Sequence, residues 1–323
     1  MKSGITKEVI KEGVLMGRLE LDAAGAKEVI IKFIREQMAV AKSRGVVVGV
    51  SGGLDSATVA LLCALALTPE KVTGLYLPER DSAPVSRTHA RAVAGQAGIK
   101  LEEINLEPAL KELGAYRNAV ARAMQNPLIN RLAFRGIANV GKAQPFLLTM
   151  DGGQNDVIRQ AVAFYRIKHR LRMAALYHFA EENGLLVAGC LNRTEYLTGF
   201  FVRYGDSAAD LAPIFPLYKT QVRRLAEHLG VPREIIAKPP SPDLIPGITD
   251  EIALGITYDL LDAILAGLEQ GSAPDALARE LTVPLDKVRH VDRLVKKSAP
   301  WRREIPYPDL PGLRPLPPDS PVS

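Results

Sequence analysis

The 323-residue chain predicts an α/β protein built on a doubly wound, mainly parallel sheet. Strand-like and helix-like segments alternate along most of it. The first strand-like run is apolar without a break, and a glycine-rich turn joins it directly to an apolar helix. Hydrophobic residues make up 47% of the chain and charged residues 24%, the balance of a globular protein with a sizeable core. Disorder and fibrous repeats are thereby excluded.

In chain order, residues 24–41 place Val29, Ile30, Phe33, Ile34 and Met38 at helical spacing, with Lys27, Glu28, Lys32, Arg35 and Glu36 between them. An amphipathic helix is predicted there, stopped at Gly45. Residues 46–50, Val-Val-Val-Gly-Val, then read as a strand covered on both faces, because an alternating polar residue is missing. Residues 51–56 form the turn and 57–67 the helix. A second strand is predicted at 72–77, a helix at 86–98, and a strand at 100–105. A long helix follows at 166–183, a strand at 185–188 and a helix at 220–229. In such a sheet ligands bind beyond the carboxyl ends of the strands, so the site is expected around Ser51, Pro78 and Cys190.

Two segments fit the alternation poorly. Residues 107–160 mix helix formers with Asn126-Pro127, Gly136, Gly141 and Asp151-Gly152-Gly153, which predicts an inserted helical region with a mobile loop. Residues 300–323 contain eight prolines and predict an extended tail, leaving 1–299 as one domain.

Charge and cysteine usage narrow the function classes. Lys and Arg number 41 against 36 Asp and Glu, a surplus of +5 that is too small and too scattered to mark a nucleic-acid groove. The two cysteines, Cys63 and Cys190, lie in apolar runs and suggest no disulfide framework, so a reducing cytoplasm is expected. No apolar run reaches the roughly 20 residues of a spanning helix, and the start of the chain lacks the apolar core of a signal peptide. His89, His169, His178, His228 and His290 show no zinc-ligand spacing.

The chemistry concentrates in Ser51-Gly52-Gly53-Leu54-Asp55-Ser56. This stretch follows a buried strand and opens a helix, where free backbone N–H groups and the positive end of the helix dipole meet and glycine lets a phosphate approach the main chain. It lacks the Lys of the common P-loop and the spaced glycines of a dinucleotide fingerprint, so neither phosphoryl transfer of that type nor hydride transfer is its natural reading. A carboxylate at Asp55 suits Mg²⁺, a hard cation that shares phosphate and carboxylate oxygens. The bland alternative is a tight turn in which Ser51 or Asp55 caps the helix.

The loop resembles that of the N-type ATP pyrophosphatases, and further motifs resemble the ammonia-dependent NAD synthetases among them. These are Arg170-Leu171-Arg172-Met173, Asn192-Arg193-Thr194-Glu195, Gly199-Phe200-Phe201, Tyr204-Gly205-Asp206, Asp210, Leu217-Tyr218-Lys219-Thr220, Asp243-Leu244, Asp250-Glu251 and Leu254-Gly255-Ile256-Thr257-Tyr258. Together they span most of residues 25–270. The resemblance implies a sheet of the adenine nucleotide alpha-hydrolase-like type and a two-step reaction. The nicotinate carboxylate of deamido-NAD attacks the α-phosphorus of ATP, and ammonia then displaces AMP to give NAD⁺. It implies Mg²⁺ on Asp55 and Glu195, and ATP on Gly49, Val50, Ser51, Gly52, Gly53, Leu54, Asp55, Ser56, Cys190, Lys219 and Ser241. Asp55, Glu195 and Lys219 would be the catalytic set, and Arg170, Arg203 and Asp210 would contact deamido-NAD. A homodimer is implied too. The short stretch before the first strand leaves no room for a glutaminase portion, so free ammonia or a separate partner is the expected nitrogen source.

Departures from the family pattern are unevenly spread: one, Cys190, falls near the adenosine, and the acceptor half is the more altered. Cys190 and Val202 stand where the family usually has Thr, Arg203 where it has Lys, Arg166 where it has Asn, Ala253 where it has Glu, and Pro300-Trp301-Arg302 where it has His-Lys-Arg. Arg keeps the charge of Lys but not its shape or hydrogen bonding. The competing readings are accordingly a related ligase that adenylates a different carboxylate, and a nucleotide-binding protein without turnover. Retention of both Asp55 and Glu195 argues against the second.

Overall fold

Alternate valines of the first strand point to opposite layers. In the computed structural model, which describes residues 17–117, 119–128, 130, 132, 145–150, 155–241 and 245–303, strand β1 (Gly45–Gly49) runs between β2 (Val72–Tyr76) and β4 (Leu185–Ala188), with β3 (Lys100–Glu103) outside β2. All pairings are parallel, with Val46 opposite both Val72 and Leu186. Val46 and Val48 pack with helices α1 (Ala23–Ala41), α2 (Leu54–Ala66), α3 (Pro84–Ala97) and, later in the chain, Lys219–His228. Val47 joins Leu75 and Val187 against the opposite layer, in which α4 (Glu107–Glu112) contributes Leu110. Burial on both faces is the physical reason that the run shows no polar alternation.

Helix α1 begins at Asp22, whose carboxylate accepts from the Gly25 amide at 3.0 Å, and it buries Ile30, Ile31, Ile34 and Met38. Its end and one edge of its apolar face differ from the prediction. The helix ends at Lys42, which takes the left-handed conformation (φ 52°), while Gly45 opens β1. Val29, placed by its spacing on the apolar face, is 69% exposed.

The 107–160 region also differs from its prediction. It contains α4, α5 (Ala119–Ala123) and α6 (Pro145–Met150), but from Asp156 onward it is already part of helix α7 (Asp156–Asn183). That helix starts ten residues earlier than predicted because the Asn155 side chain caps it, accepting from the Val157 amide at 2.8 Å. The predicted mobile loop at Gly136, Gly141 and 151–153 lies outside the described residues, as does the tail from 304. No helix of the described residues is long and apolar enough to cross a membrane.

After β4 come α8 (Arg193–Thr198), α9 (Lys219–His228), α10 (Arg233–Ile236), α11 (Asp250–Leu254), α12 (Tyr258–Glu269), α13 (Pro274–Leu281) and α14 (Leu285–Ser298). The last three helices build a second apolar cluster around Leu261, Ile264, Leu265, Val291 and Leu294. The chain leaves β1 toward β2 on one side and returns as β4 on the other. Such a reversal opens a crevice where the strands end, here between Gly49–Ser51 and Ala188–Cys190.

Candidate active site

The turn after β1 is shaped by close approach. Gly52 adopts φ +76°, and a β-carbon on it would lie 2.4 Å from the Ser86 carbonyl oxygen, so both its backbone conformation and its neighbour exclude a side chain. The Val50 amide donates to the Leu75 carbonyl at 2.8 Å, extending the sheet contact to the edge of the turn. Ser51 and Ser56 then brace it: the Ser51 amide donates to Ser56 Oγ at 3.2 Å, and Ser56 Oγ donates to the Gly53 carbonyl at 3.1 Å. Gly53 precedes α2 without a side-chain cap, so the helix start keeps its anion-binding capacity. Gly49, Val50, Ser51, Gly53, Leu54, Asp55 and Ser56 all line a cavity of about 580 Å³ at the carboxyl ends of β1, β2 and β4. Gly52 is buried.

Asp55, Glu195 and Lys219 meet on this wall. The Lys219 ammonium donates to Asp55 Oδ2 and lies 3.7 Å from Glu195 Oε1. Asn192 organises the two acids. Its Nδ2 donates to Asp55 Oδ1 at 3.0 Å, its Oδ1 accepts from the Glu195 amide at 3.0 Å, and its own amide donates to Glu195 Oε2 at 3.3 Å. The last two bonds are a capping box at the start of α8. Asn192 was not among the predicted site residues, although an Asn three residues before a Glu is a readable signal for this arrangement.

A third acid completes the surroundings of Lys219. Asp250 begins α11, is buried, accepts from the Tyr258 hydroxyl at 2.8 Å through Oδ2, and leaves Oδ1 unpartnered. Burial, partly opposed by Lys219 and Tyr258, raises its carboxyl to about 6. Burial and then Asp55 hold Glu195 well above the ordinary carboxylate range. Burial would lower Lys219, but Asp55, Glu195 and Asp250 together hold it above its usual value. The Cys190 thiol, also on the wall, is pushed well up by burial and by Asp55, which suits a neutral packing group better than a nucleophile.

Lys219 is held in place by its main chain. Its amide donates to Thr194 Oγ1 at 2.9 Å, Thr194 Oγ1 donates to Asp262 Oδ1 at 2.5 Å, and the Thr220 amide donates to Asp262 Oδ2 at 2.8 Å. The sequence pattern gave no hint of Asp262. It sits within an apolar helical run, and only the fold brings it to the starts of α8 and α9.

The remaining predicted residues divide. Ser241 lines the cavity and donates to the Ile248 carbonyl at 3.0 Å. Arg170, Arg203 and Asp210 are not among its lining residues. Arg170 Nε donates to the Arg203 carbonyl at 3.4 Å, and Arg203 Nη2 donates to the Arg303 carbonyl at 2.9 Å. Asp210 accepts from the Val187 amide at 2.7 Å and from the Tyr177 hydroxyl at 3.2 Å. On the wall beside them stand His169, Arg172, Met173 and Asp206, none of them singled out as a site residue from sequence. Arg172 is fixed by donating to the Leu77 carbonyl at 3.2 Å.

Among the described residues no group of three or more His, Cys, Asp or Glu is arranged to hold a metal by itself. Mg²⁺ commonly needs only one or two carboxylates and completes its shell with substrate phosphates and water. The pair Asp55 and Glu195 fits that requirement, and the surplus of acid over Lys219 leaves room for a cation.

The sequence model of the family described as NAD synthase matches residues 26–132 and 128–306. The NH₃-dependent NAD⁺ synthetase of Thermotoga neapolitana is 43% identical over 281 residues, covering 87% of this chain and 94% of that protein. The protein of the same description from Methanocaldococcus jannaschii is 37% identical, with 87% and 95% covered. Among solved structures, NMN synthetase from Francisella tularensis superposes with a TM-score of 0.68 at 23% identity, covering 90% of this chain and all of that one. NH₃-dependent NAD synthetase from Campylobacter jejuni gives 0.65 at 24%, with the same coverage. These two likenesses show the shared fold of the adenine nucleotide alpha-hydrolase-like type. From the family match and from the identity to relatives along nearly their whole length, the chain belongs to the NAD synthase family.

Proposed function

We infer that the chain catalyses ammonia-dependent synthesis of NAD⁺. ATP and deamido-NAD form an acyl-adenylate with loss of pyrophosphate, and ammonia then takes the acyl group to give NAD⁺ and AMP. The observation that carries this reading is the meeting, in one cavity, of the amide-rich turn at 49–56 with Asp55, Glu195 and Lys219. A carboxylate is a poor acyl donor because oxide would have to leave, and adenylation provides AMP as the leaving group instead. Negative charge accumulates on the departing pyrophosphate, where preorganised donors contribute most. The start of α2 and Lys219 supply such donors without a nucleophilic side chain.

Asp55 and Glu195 would hold Mg²⁺, which would neutralise phosphate charge. Asn192 keeps both carboxylates aimed at the same space. Arg170, Arg203 and Asp210 are proposed for deamido-NAD on the family resemblance. Their position off the cavity wall agrees with an acceptor that extends beyond the nucleotide pocket, toward a second copy of the chain in a homodimer. A cytoplasmic setting is proposed as well, in keeping with Cys63 and Cys190 as free thiols.

The test is an assay of pyrophosphate release and NAD⁺ formation with ATP, Mg²⁺ and ammonia, run with deamido-NAD and in parallel with nicotinate mononucleotide and other acids. NAD⁺, AMP and pyrophosphate in equal amounts with deamido-NAD are expected. Release only with another acid overturns the acceptor, and release with none overturns the reaction. Light scattering of the same preparation tests the dimer.

A further inference from the structure

A second hollow of about 600 Å³ adjoins the nucleotide cavity, with Arg80, Gln125 and Gly247 on its own wall. Ser82, Lys238, Ser241, Ile245 and Ile248 line both, so Lys238 is the cation of the partition between them. It follows α10, and its amide donates to the Ile235 carbonyl at 3.3 Å. Its ammonium donates to Ser86 Oγ at 3.2 Å. Ser86 is the residue whose carbonyl closes over Gly52, so Lys238 stands one residue away from the nucleotide turn. No described carboxylate lies within ion-pair distance of it.

Two other cations nearby are already committed to acids. Lys219 is already shared among Asp55, Glu195 and Asp250. Arg80, in the second hollow, is forked onto Asp81 at 2.9 and 3.0 Å and stacked 4.0 Å from the centre of the Tyr116 ring. Lys238 alone among these cations is bound only to a hydroxyl. Resting on the adenylating reaction inferred above, we propose that Lys238 binds the β- and γ-phosphates of ATP where the two hollows meet, and retains the pyrophosphate formed there. In that step the nicotinate carboxylate oxygen bonds to the α-phosphorus while the bond from the α-phosphorus to the bridging oxygen breaks. The electron pair leaves with pyrophosphate, whose gain in charge Lys238 meets directly.

The test measures binding of inorganic pyrophosphate, and separately of AMP, by calorimetry to the parent, K238Q and K238R proteins. A charge-assisted contact of this kind predicts that K238Q weakens pyrophosphate about tenfold to a hundredfold. AMP affinity is expected to stay within about twofold of the parent, and K238R to recover most of the loss. Product inhibition by pyrophosphate should weaken in parallel, with the KM for ATP rising. Unchanged pyrophosphate affinity in K238Q, or an equal loss for AMP and pyrophosphate, overturns the assignment. If the parent makes no NAD⁺ from deamido-NAD while K238Q still loses pyrophosphate selectively, the reaction falls and the role of Lys238 stands.

Discussion

A single carboxylate, Asp55, is shared between an amide and an ammonium: Asn192 holds one oxygen and Lys219 the other. Asp55→Asn keeps the volume and removes the charge. Turnover is expected to fall by about 10²- to 10³-fold, the range for loss of one preorganised electrostatic group. Thermal unfolding should move little, because Asp55 is also one of the charges that hold Glu195 in its raised, disfavoured state. Steady-state kinetics beside a melting curve check both halves, and an active variant removes Asp55 from the reaction. The thiols carry a second expectation at this scale. Burial raises Cys63 to about 12 and Cys190 well above its ordinary value, so the native protein at pH 8 should resist a thiol-disulfide reagent that labels both cysteines after denaturation. Fast labelling of Cys190 in the native state would show that the site wall opens. Both residues were visible in the sequence, but Asn192, which organises the acids, was visible only as part of a motif.

Elements bring to the site what no local pattern announces. Helix α12 presents Asp262 to the first turns of α8 and α9, tying Thr194 and Thr220 in a single buried bridge. Burial raises the Asp262 carboxyl to about 6, with hydrogen bonds from Thr194 and Thr220 only partly opposing it. Its native pKa therefore lies above its unfolded value near 3.8, and the native state binds more protons between those pH values. This group's contribution to stability is fully present below about pH 3.8 and is lost as pH rises through about 6. Asp262→Asn should accordingly show a shallower fall in unfolding free energy from pH 4 to 6.5 than the parent, measured by urea titration at each pH. An identical slope would place the carboxyl in a wetter setting. The strands were legible because β-branched runs bounded by turns leave few alternatives, and β4 occupies the predicted residues. The start of α7 was not, since a cap and not periodicity decides it; Asn155 followed by Asp156 is the signal that sets it. Arg172, carried by that helix onto the cavity wall, shares one Arg-x-Arg motif with Arg170, and spacing alone does not separate the two.

The molecule as a whole is an α/β sheet layer joined to a helical lobe, and the site lies where their loops converge. The sheet half was legible in full outline. The helical lobe was not, because its apolar helices α12–α14 carry the same 3.6-residue pattern as the helices covering the sheet, and sequence does not say which core each one joins. The layers are also locked by charge. Lys168 of α7, fully buried, lies 3.0 Å from Glu79 Oε1 and 2.6 Å from Asp81 Oδ2, with the Tyr116 hydroxyl donating to the other oxygen of Glu79 at 2.9 Å. Glu79 and Asp81 follow β2, so this network fixes the loop beside the turn at 49–56 to the helix on the opposite face of the sheet. Removing one partner of a buried pair leaves an uncompensated charge, whereas removing the whole set lets apolar packing take its place. Lys168→Met should therefore cost about 3–5 kcal/mol of unfolding free energy. The double change of Lys168→Met with Glu79→Gln leaves Asp81 paired with Arg80 and should recover much of that loss. Urea midpoints for parent, single and double variants measure the difference directly. Equal losses in the two variants would mean that the attraction outweighs the cost of desolvation, against the expectation for a dry pair, and a negligible loss in the single variant would mean that water reaches the network between the loop and α7.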